Sequence, residues 1–335
     1  MIEPIKTVEM HTGGEPLRII TSGIPLPQNG TLLEKRRYLM EQADQYRRFL
    51  MFEPRGHKDM YGALIVPADH NDADFGVIFM HNEGYSTMCG HAVIALGRYA
   101  VDNGLVPIEG RSHVPVNIQC PCGLVRAEVD VTNDKSGAVR FESVPAFAYK
   151  LDQFVDTAEY GPVELDIAYG GAFYGILEAA TLGFDLSDTP VQDLIKAAGQ
   201  LTAAVQSQIN ITHPIEEDLG FLYGIIFTDG KTGADGSASR NVCIFADGQV
   251  DRSPTGSGVT ARLALEWAKG GAILEQSFAF ESLTDTIFSG KIKSICKLGP
   301  YNAVTVEVGG RAHYCGTANF TMEDDDMLAG GFLLR

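Results

Sequence analysis

Long hydrophobic runs are missing from this sequence of 335 residues. No stretch approaches the ~20 consecutive apolar residues that a membrane-spanning helix needs. The first residues, Met1-Ile2-Glu3-Pro4, also lack the basic region followed by an apolar one that marks a secretory signal. We therefore expect neither membrane insertion nor secretion, and we expect a cytoplasmic protein.

Positive charge is scarce. The chain has 26 Lys and Arg residues against 43 Asp and Glu residues, so its formal net charge is −17. A field of this sign repels nucleic acid and anionic membrane surfaces, and we expect neither as a partner. A small zwitterionic substrate is compatible with this charge.

Cofactor and metal signatures are also absent from the sequence. It has no glycine fingerprint of the dinucleotide-binding or P-loop kind, and no lysine stands in a context that indicates pyridoxal chemistry. Cys120 and Cys122 form a Cys-Pro-Cys pair, but no second Cys or His pair stands at the spacing of a closed zinc site. We interpret the six cysteines as reduced cytosolic thiols and expect no cofactor and no metal.

A weak internal repeat is present, as expected of a chain long enough for two domains. Val8-Glu9 leads through Gly13-Gly14 into the apolar run Leu17–Ile20. Val163-Glu164 leads through Gly170-Gly171 into a second apolar run. Each series predicts a strand, a tight glycine turn and a returning strand.

The repeat continues beyond these two hairpins. Gly123 follows Cys89 by 34 residues, and Gly290 follows Thr255 by 35. Each of these glycines is predicted to begin a strand, and another β-rich stretch follows in both halves.

Matching order and spacing over more than a hundred residues predicts two homologous α/β domains. We place the first domain at residues 1–150 and the second at residues 151–315. Residues 316–335 are then free to pack back onto the first domain. Each domain is expected to contain one conspicuous helix.

These two predicted helices are Gly90–Asn103 and Gly256–Lys269, and Gly104 and Gly270 follow them as candidate left-handed C-caps. Apolar residues fall on most faces of the first helix, which predicts that it is buried within its domain. The first turn of such a helix offers unpaired backbone N–H groups and the positive end of the helix dipole. Each helix N-terminus is therefore a candidate anion site.

Cys89 and Thr255 directly precede these two helices. A helix N-terminus lowers the pKa of a thiol and increases its thiolate fraction, so Cys89 is a candidate base at neutral pH. The alternative is a buried structural thiol, because cysteine is among the most buried residue types. For Thr255 the alternative is an ordinary helix N-cap. Residue chemistry alone leaves both alternatives open.

Together with their flanks, these segments resemble the two signature segments of the proline racemase family. Met88-Cys89-Gly90-His91 precedes the first helix, and Asp251-Arg252-Ser253-Pro254-Thr255-Gly256-Ser257-Gly258 precedes the second. The similarity runs through nearly the whole chain and includes three further motifs, His11–Pro16, Arg55–Met60 and Asp166–Gly171.

The resemblance implies a diaminopimelate-epimerase-like fold. This is an α/β (α+β type) architecture of two pseudo-symmetric domains, each wrapped around a central helix, with the active site in the cleft between them. In the family, two cysteines face each other across the Cα of a bound proline. Here Thr255 stands where the second cysteine would be. That departure resembles the trans-3-hydroxy-L-proline dehydratase branch of the family, which carries a Cys/Thr pair and, like the family, needs no cofactor.

The acid–base chemistry of the pair favours the same activity. Racemisation needs a group on each face of Cα with a pKa near the working pH. A threonine hydroxyl is far too weak an acid, whereas a thiol with an ordinary pKa of ~8.5 is readily tuned. One competent base can still remove the Cα proton and expel a C3 hydroxyl, giving an enamine that tautomerises to Δ1-pyrroline-2-carboxylate. We therefore predict that Cys89 is the base and that Thr255 positions or polarises the substrate.

The resemblance further implies how an imino-acid substrate is held. Its carboxylate would bind the N–H groups at the two helix starts, its ring ammonium would pair with Asp251, and two aromatic side chains would wall the pocket. The residues carried over in this way are Gly90, His91, Gly256, Ser257, Tyr61 and Phe245. Tyr61 departs from the family's usual phenylalanine, and its hydroxyl is a candidate contact for a hydroxylated ring. Taken alone, His91 is more commonly a packed helix-terminal residue, and Asp251 a turn residue before Pro254.

Two other functions stay open at this point. One is an isomerase of proline or 4-hydroxyproline that works despite Thr255. The other is a catalytically silent member of the family that binds an amino acid. A homodimer is compatible with the sequence but is not required by it.

Overall fold

Buried and exposed residues alternate along several segments of this chain, such as residues 123–132 and 161–169, and these segments form β-strands, as period-two patterning dictates. The computed structural model describes residues 4–234, 236–323 and 325–334. It divides into two compact units. The first unit runs up to Val139 and resumes at Arg311, and the second unit is Arg140–Gly310.

The elements are numbered here in chain order. The strands are β1 (Ile5–Thr12), β2 (Glu15–Ser22), β3 (Tyr61–Val66), β4 (Phe75–His81), β5 (His113–Cys120), β6 (Gly123–Thr132), β7 (Lys135–Glu142), β8 (Phe147–Thr157), β9 (Gly161–Tyr169), β10 (Phe173–Glu178), β11 (Leu222–Thr228), β12 (Ser239–Phe245), β13 (Gln249–Val250), β14 (Ser277–Glu281), β15 (Ile287–Leu298), β16 (Tyr301–Gly310) and β17 (Ala312–Phe320). The α-helices are α1 (Leu32–Gln42), α2 (Asp44–Met51), α3 (Gly90–Asp102), α4 (Val191–Gln208) and α5 (Gly256–Ala268), and two short 3₁₀ turns span Ala179–Leu182 and Glu217–Leu219. Among the described residues, none of these helices combines the length and hydrophobicity needed to cross a membrane.

The two units share one strand order and one series of strand directions. In the first unit the neighbours run β17, β1, β2, β3, β4, β5, β6, and their pairings are antiparallel, antiparallel, parallel, antiparallel, parallel and antiparallel. In the second unit the neighbours run β8, β9, β10, β11, β12, β14, β15 with the same series of directions. The internal repeat predicted from the sequence is therefore confirmed.

Both predicted glycine hairpins are present. Gly13 and Gly14 form the turn between β1 and β2, with φ of 62° and 87°, and Gly171, with φ of 97°, turns the chain between β9 and β10. One detail of the repeat is wrong. Gly123 does begin β6, but Gly290 lies inside β15, which already starts at Ile287 because residues 287–289 pair with β14.

Each unit is built around one buried helix. In α3, eleven residues of the thirteen are buried, and in α5 ten of the thirteen are buried. The helix α3 packs against β1, β2, β5, β6 and β17, and α5 packs against β8, β9, β10, β15 and β16. Gly104 and Gly270 follow the helices with φ of 70° and 80°. The predicted helices, their left-handed C-caps and the predicted burial of the first helix are therefore confirmed, and each helix is one residue shorter than predicted.

The boundaries between the two units differ from the predicted ones. The chain leaves the first unit at Val139 rather than at residue 150, because β8 pairs along its length with β9 of the second unit. It returns at Arg311 rather than at residue 316, because β17 pairs with β1 from Ala312 onward. Local patterning could not place these boundaries, since they are set by strand pairing between residues far apart in sequence.

Candidate active site

Cys89 lies at the N-terminus of α3 in the first unit. It is the N-cap residue, with an extended backbone (φ −148°, ψ 105°), and its carbonyl accepts the first helical hydrogen bond from the Val93 N–H at 3.0 Å. Gly90 follows as the first helical residue. The residue Cys89 is 5% exposed. The thiol therefore occupies the position at which a helix dipole and unpaired backbone N–H groups favour negative charge.

The His91 side chain approaches this thiol. The Cys89 Sγ lies 3.1 Å from His91 Nδ1 and 3.7 Å from Nε2, and His91 is buried. The sequence analysis assigned only the backbone of His91 to the site and missed this contact. A cysteine two residues before a histidine at a helix start is the signal that was available, because thiols next to imidazolium groups are stabilised as thiolates.

Tyr61 packs against the same histidine. Its ring meets the His91 ring edge-on at 4.9 Å and stacks on His81 at 5.8 Å, and its hydroxyl is hydrogen-bonded to Ser86 Oγ. Burial, followed by the charges of two arginines, lowers the pKa of His81 to about 3, so that ring is neutral at physiological pH. The hydroxyl that sets Tyr61 apart from phenylalanine has Ser86 as a partner. Its predicted contact with a hydroxylated ring stays a prediction.

The glycine hairpins pack on the first turn of each central helix. Thr12 Oγ1 donates to the carbonyl of His91, the second residue of α3, at 2.9 Å. In the second unit a Cβ at Gly170 would overlap the carbonyl oxygen of Ser257, the second residue of α5. The motifs near His11 and near Asp166 therefore fix the two helix N-termini from corresponding positions in their units.

The Cys-Pro-Cys pair lies near Cys89, which the sequence did not indicate. Cys120 ends β5, and the N–H of Cys122 donates to the carbonyl of Thr87 at 3.1 Å. Burial raises the pKa of the Cys120 thiol well above its ordinary value, and Cys122 and Cys89 raise it further. Cys120 is therefore held as a neutral thiol.

Thr255 precedes α5 in the second unit with an unusual backbone. Its φ of 62° and ψ of 90° lie in the left-handed region, which β-branched residues rarely occupy. Its side chain makes no capping hydrogen bond; instead Oγ1 donates to Asp251 Oδ2 at 2.8 Å, and its N–H donates to Ser253 Oγ at 3.1 Å. The alternative of an ordinary side-chain N-cap is therefore wrong. Strain of this kind is typical of functional sites.

Asp251 is the buried acceptor at the centre of this turn. Its Oδ1 accepts a hydrogen bond from the Ser253 N–H at 2.8 Å, and its Oδ2 accepts the Thr255 hydroxyl. Burial raises the pKa of Asp251 to about 6, against the opposing effect of the Ser253 and Thr255 hydrogen bonds and of Arg252. The carboxyl is therefore mostly ionised at neutral pH. A buried carboxylate of this kind favours a cationic partner.

Ser257 and Gly256 form the first turn of α5, next to a tyrosine that the sequence analysis missed. The Ser257 Oγ and the Tyr174 hydroxyl are hydrogen-bonded at 2.6 Å. Burial is the main reason that the pKa of Tyr174 lies well above its ordinary value, so this hydroxyl stays protonated. The carbonyl of Gly256 accepts from Thr260 Oγ1 at 3.0 Å. These contacts hold the helix start without using its first N–H groups.

Phe245, the second predicted aromatic wall, is 4% exposed at the end of β12. Its ring stacks on Tyr223 at 5.2 Å with an interplanar angle of 15°, and Tyr223 meets Tyr174 edge-on at 5.8 Å. The aromatic contacts therefore run from Phe245 to the tyrosine that bonds Ser257.

A buried arginine braces the loop before α5. Arg262 donates to Asn241 Oδ1 at 2.9 Å, and Asn241 Nδ2 donates to the carbonyl of Pro254 at 3.2 Å. Burial lowers the pKa of Arg262 to about 10, which leaves it charged at neutral pH. The sequence analysis missed this residue's role because its partners lie on β12 and in the loop at Lys231.

Among the described residues, one group of side chains has metal-ligand spacing. His113, Glu128 and Asp130 lie on β5 and β6, and His113 Nδ1 is 2.9 Å from Asp130 Oδ1. Two of the three are exposed, and surface histidines pair with carboxylates in this way without a metal.

Comparison with known proteins places the chain in one family. The family model described as proline racemase matches residues 7–333. A Xenopus tropicalis protein named trans-L-3-hydroxyproline dehydratase is 54% identical over 332 residues, covering 99% of this chain and 95% of the relative. A Homo sapiens protein named trans-3-hydroxy-L-proline dehydratase is 55% identical over 335 residues, with coverage of 99% and 95%.

A solved structure is similar to this chain in fold. The hydroxyproline epimerase from Agrobacterium vitis with bound trans-4-OH-L-proline matches with a TM-score of 0.93 at 25% identity, covering 99% of this chain and 96% of that chain. This match confirms the predicted α/β architecture. The sequence resemblance, which runs through nearly the whole chain, is confirmed by the family model over residues 7–333. The chain therefore belongs to the proline racemase family.

Proposed function

We propose that this protein dehydrates trans-3-hydroxy-L-proline to Δ1-pyrroline-2-carboxylate. Relatives that share 54% and 55% of its residues over nearly their whole length are named for this activity. The observation that carries the proposal is chemical asymmetry at the two helix starts. Cys89 Sγ has an imidazole nitrogen at 3.1 Å, whereas the Thr255 hydroxyl donates a hydrogen bond to Asp251 Oδ2 at 2.8 Å.

In the proposed reaction Cys89 removes the Cα proton. The N-terminus of α3 and the His91 ring both stabilise a thiolate at this position, and a positioned base of this kind accelerates proton transfer by about 10²–10⁴-fold. The C–H electrons form the Cα–C3 double bond as the C3–O bond breaks. In the trans-3-hydroxy-L isomer the hydroxyl lies on the same ring face as the Cα hydrogen, so the Cys89 thiol can return its proton to the leaving oxygen. Water leaves, the thiolate is regenerated, and the enamine tautomerises to the imine.

Thr255 does not serve as a second base in this proposal. An aliphatic hydroxyl is about as weak an acid as water, so its pKa lies far above the physiological range. The carboxyl that accepts its hydrogen bond, Asp251, has a pKa of about 6. Deprotonation of Thr255 by Asp251 is therefore unfavourable by roughly ten orders of magnitude. The alternative of a proline or 4-hydroxyproline isomerase needs that second base and is not favoured.

The proposed binding mode places each charge of the zwitterion on an opposite one. The substrate carboxylate binds the N–H groups at the starts of α3 and α5, and the ring ammonium pairs with Asp251. Thr255, whose hydroxyl proton is directed to Asp251, keeps its oxygen lone pairs available to accept a hydrogen bond. The substrate-contacting residues in this proposal are Gly90, His91, Asp251, Gly256 and Ser257, with Tyr61 and Phe245 as walls.

The chemistry needs only proton transfer and loss of hydroxide, so we propose that the enzyme uses no cofactor. We also propose a cytoplasmic location. Six cysteines are free thiols, which suits a reducing compartment.

Incubation of the purified protein with three substrates tests the proposal. We expect trans-3-hydroxy-L-proline to give the imine, observed by NMR in D₂O, while L-proline and trans-4-hydroxy-L-proline keep their configuration. Inversion of either of the latter would show an isomerase instead. Binding without turnover of any of the three would show a silent binding protein. The Cys89→Ser variant is the matched control, because its hydroxyl cannot replace the thiolate.

A further inference from the structure

Gln249 is a buried amide that the mechanism above does not use. It is 3% exposed, and neither its Oε1 nor its Nε2 has a hydrogen-bond partner among the described residues. Burying an unpaired polar group is costly, and nearly all buried polar groups in native proteins are paired. Because both polar atoms of this amide are unpaired, we expect a ligand from outside the chain to form hydrogen bonds with them.

The strand register places Gln249 beside the Thr255 segment. In the hairpin of β12 and β13, Gln249 pairs with Phe245, and the N–H of Asp251 donates to the carbonyl of Cys243 at 3.0 Å. Side chains two residues apart on a strand, and those directly opposite on its neighbour, lie on one face. Phe245, Gln249 and Asp251 therefore share a face of the hairpin.

That same face is directed toward the start of α5. Asp251 accepts the Thr255 hydroxyl, and a Cβ at Gly258 would contact Ile226, which pairs with Cys243. The opposite face is covered by α4, since a Cβ at Gly248 would contact Ile195. The unpaired amide is thus on the face that carries the proposed ammonium partner and the proposed aromatic wall, not on the face buried against α4.

We propose that Gln249 recognises the C3 hydroxyl of the substrate and so determines specificity for a hydroxylated ring. This inference rests on the proposed function. With the ring ammonium on Asp251, the next polar side chain along the face is Gln249, about 6.6 Å further on in strand spacing. A five-membered ring bearing a hydroxyl spans this distance together with one hydrogen bond. An amide suits a hydroxyl because it offers a donor and an acceptor at once.

The contact also has a chemical use. As the C3–O bond breaks, negative charge develops on the oxygen, and the Nε2–H of Gln249 is a donor that stabilises it. The proton that completes the water still comes from Cys89. Asp251 is not suited to this role, because its two oxygens are already acceptors for Ser253 and Thr255 and it is mostly ionised at neutral pH.

Binding in an inactive background tests the proposal directly. In Cys89→Ser, calorimetry should give tighter binding of trans-3-hydroxy-L-proline than of L-proline by about tenfold, the value of one good hydrogen bond. Adding Gln249→Met, which has nearly the same shape, should remove this preference and leave the affinity for L-proline unchanged. The matched control is Gln192→Met on the exposed surface of α4, which should preserve the preference.

Three results would overturn the inference. The first is that Cys89→Ser binds the two ligands with equal affinity. The second is that Gln249→Met weakens the binding of both ligands equally. The third is that Gln249→Met changes the affinity for neither ligand. Thermal unfolding of the ligand-free Gln249→Met variant tests whether Gln249 has a structural role instead. Removing two unpaired polar atoms should keep or raise the Tm, whereas an amide satisfied by a fixed buried water should lose stability on substitution. If Gln249→Met fails to fold, the affinities of Cys89→Ser for the two ligands still test the inference, because equal affinities would overturn it.

Failure of the proposed function gives a different result. Absence of turnover by the wild-type protein, with a preserved binding preference that depends on Gln249, would refute the dehydratase and keep the hydroxyl contact. Turnover at full rate in Gln249→Met would refute the contact and keep the dehydratase.

Discussion

Replacing Asp251 with asparagine should make the folded protein more stable and the enzyme much less active. Burial raises the pKa of this carboxyl from 3.8 to about 6, so ionising it in the folded state costs about 3 kcal/mol more than in the unfolded chain. The folded state holds the proton more tightly than the unfolded state. The free energy of unfolding therefore falls as the pH rises from about 4 to about 6, and the full cost is present above that window.

The size of the gain follows from the hydrogen bonds of the turn. Asparagine keeps one carbonyl oxygen for the Ser253 N–H or the Thr255 hydroxyl and loses the other acceptor, at a cost of about 1 kcal/mol. The net gain at pH 8 is about 2 kcal/mol, which corresponds to a Tm higher by about 4–8 °C for a unit of this size. At pH 5 the cost of ionising Asp251 is about half of its value at pH 8, so the stability gained by Asp251→Asn should be smaller.

Thermal unfolding at several pH values between 5 and 8 measures this directly, with Asp188→Asn, at an exposed position, as the control. The same Asp251 variant should lose at least about thirtyfold in kcat/KM for trans-3-hydroxy-L-proline, because the ring ammonium loses its charged partner. A variant that is less stable at every pH, or one that keeps wild-type activity, would refute the reasoning.

Substitutions at three residues test the two helix starts. Thr255→Cys should allow slow deuterium exchange and inversion at the Cα of L-proline, detected by NMR and chiral chromatography, while Thr255→Ala should not; no inversion would contradict the prediction that both segments contact one substrate. Cys89→Ser should lower kcat by about 10²–10⁴-fold with little change in Tm, because the general base is lost; residual activity near wild type would assign the base elsewhere. Tyr174→Phe removes the hydroxyl bonded to Ser257 at 2.6 Å and should lower kcat/KM by about threefold to tenfold, and an unchanged value would show that Ser257 needs no such support.

The sequence predicted the regular parts of the fold because their causes are local. Gly104 and Gly270 end the two central helices by adopting positive φ, and Gly13 and Gly14 turn the first hairpin. Such positions are visible in a sequence because few residues other than glycine tolerate that backbone. The equivalence of the two halves was visible for the same reason.

The side-chain geometry of the candidate site was not visible in this way. The left-handed backbone of Thr255 and the direction of its hydroxyl depend on Asp251, Ser253 and Asn241, which act together only in the folded turn. The approach of His91 to Cys89 depends on a rotamer, and the unpaired state of Gln249 depends on what surrounds it in the folded hairpin. The chemical role of each residue could be predicted from its type, but the side chain that it contacts could not.

The pairing of β17 with β1 has a consequence for synthesis. All of the second unit lies in the chain between the main part of the first unit and the strand that covers its β1 edge. Domains commonly fold as they leave the ribosome, in order from the N-terminus. Here the earlier-made unit stays open at one edge until the later-made unit has been translated. A nascent chain halted near residue 300 would expose β1 as a bare strand edge, the kind of surface that chaperones must shield.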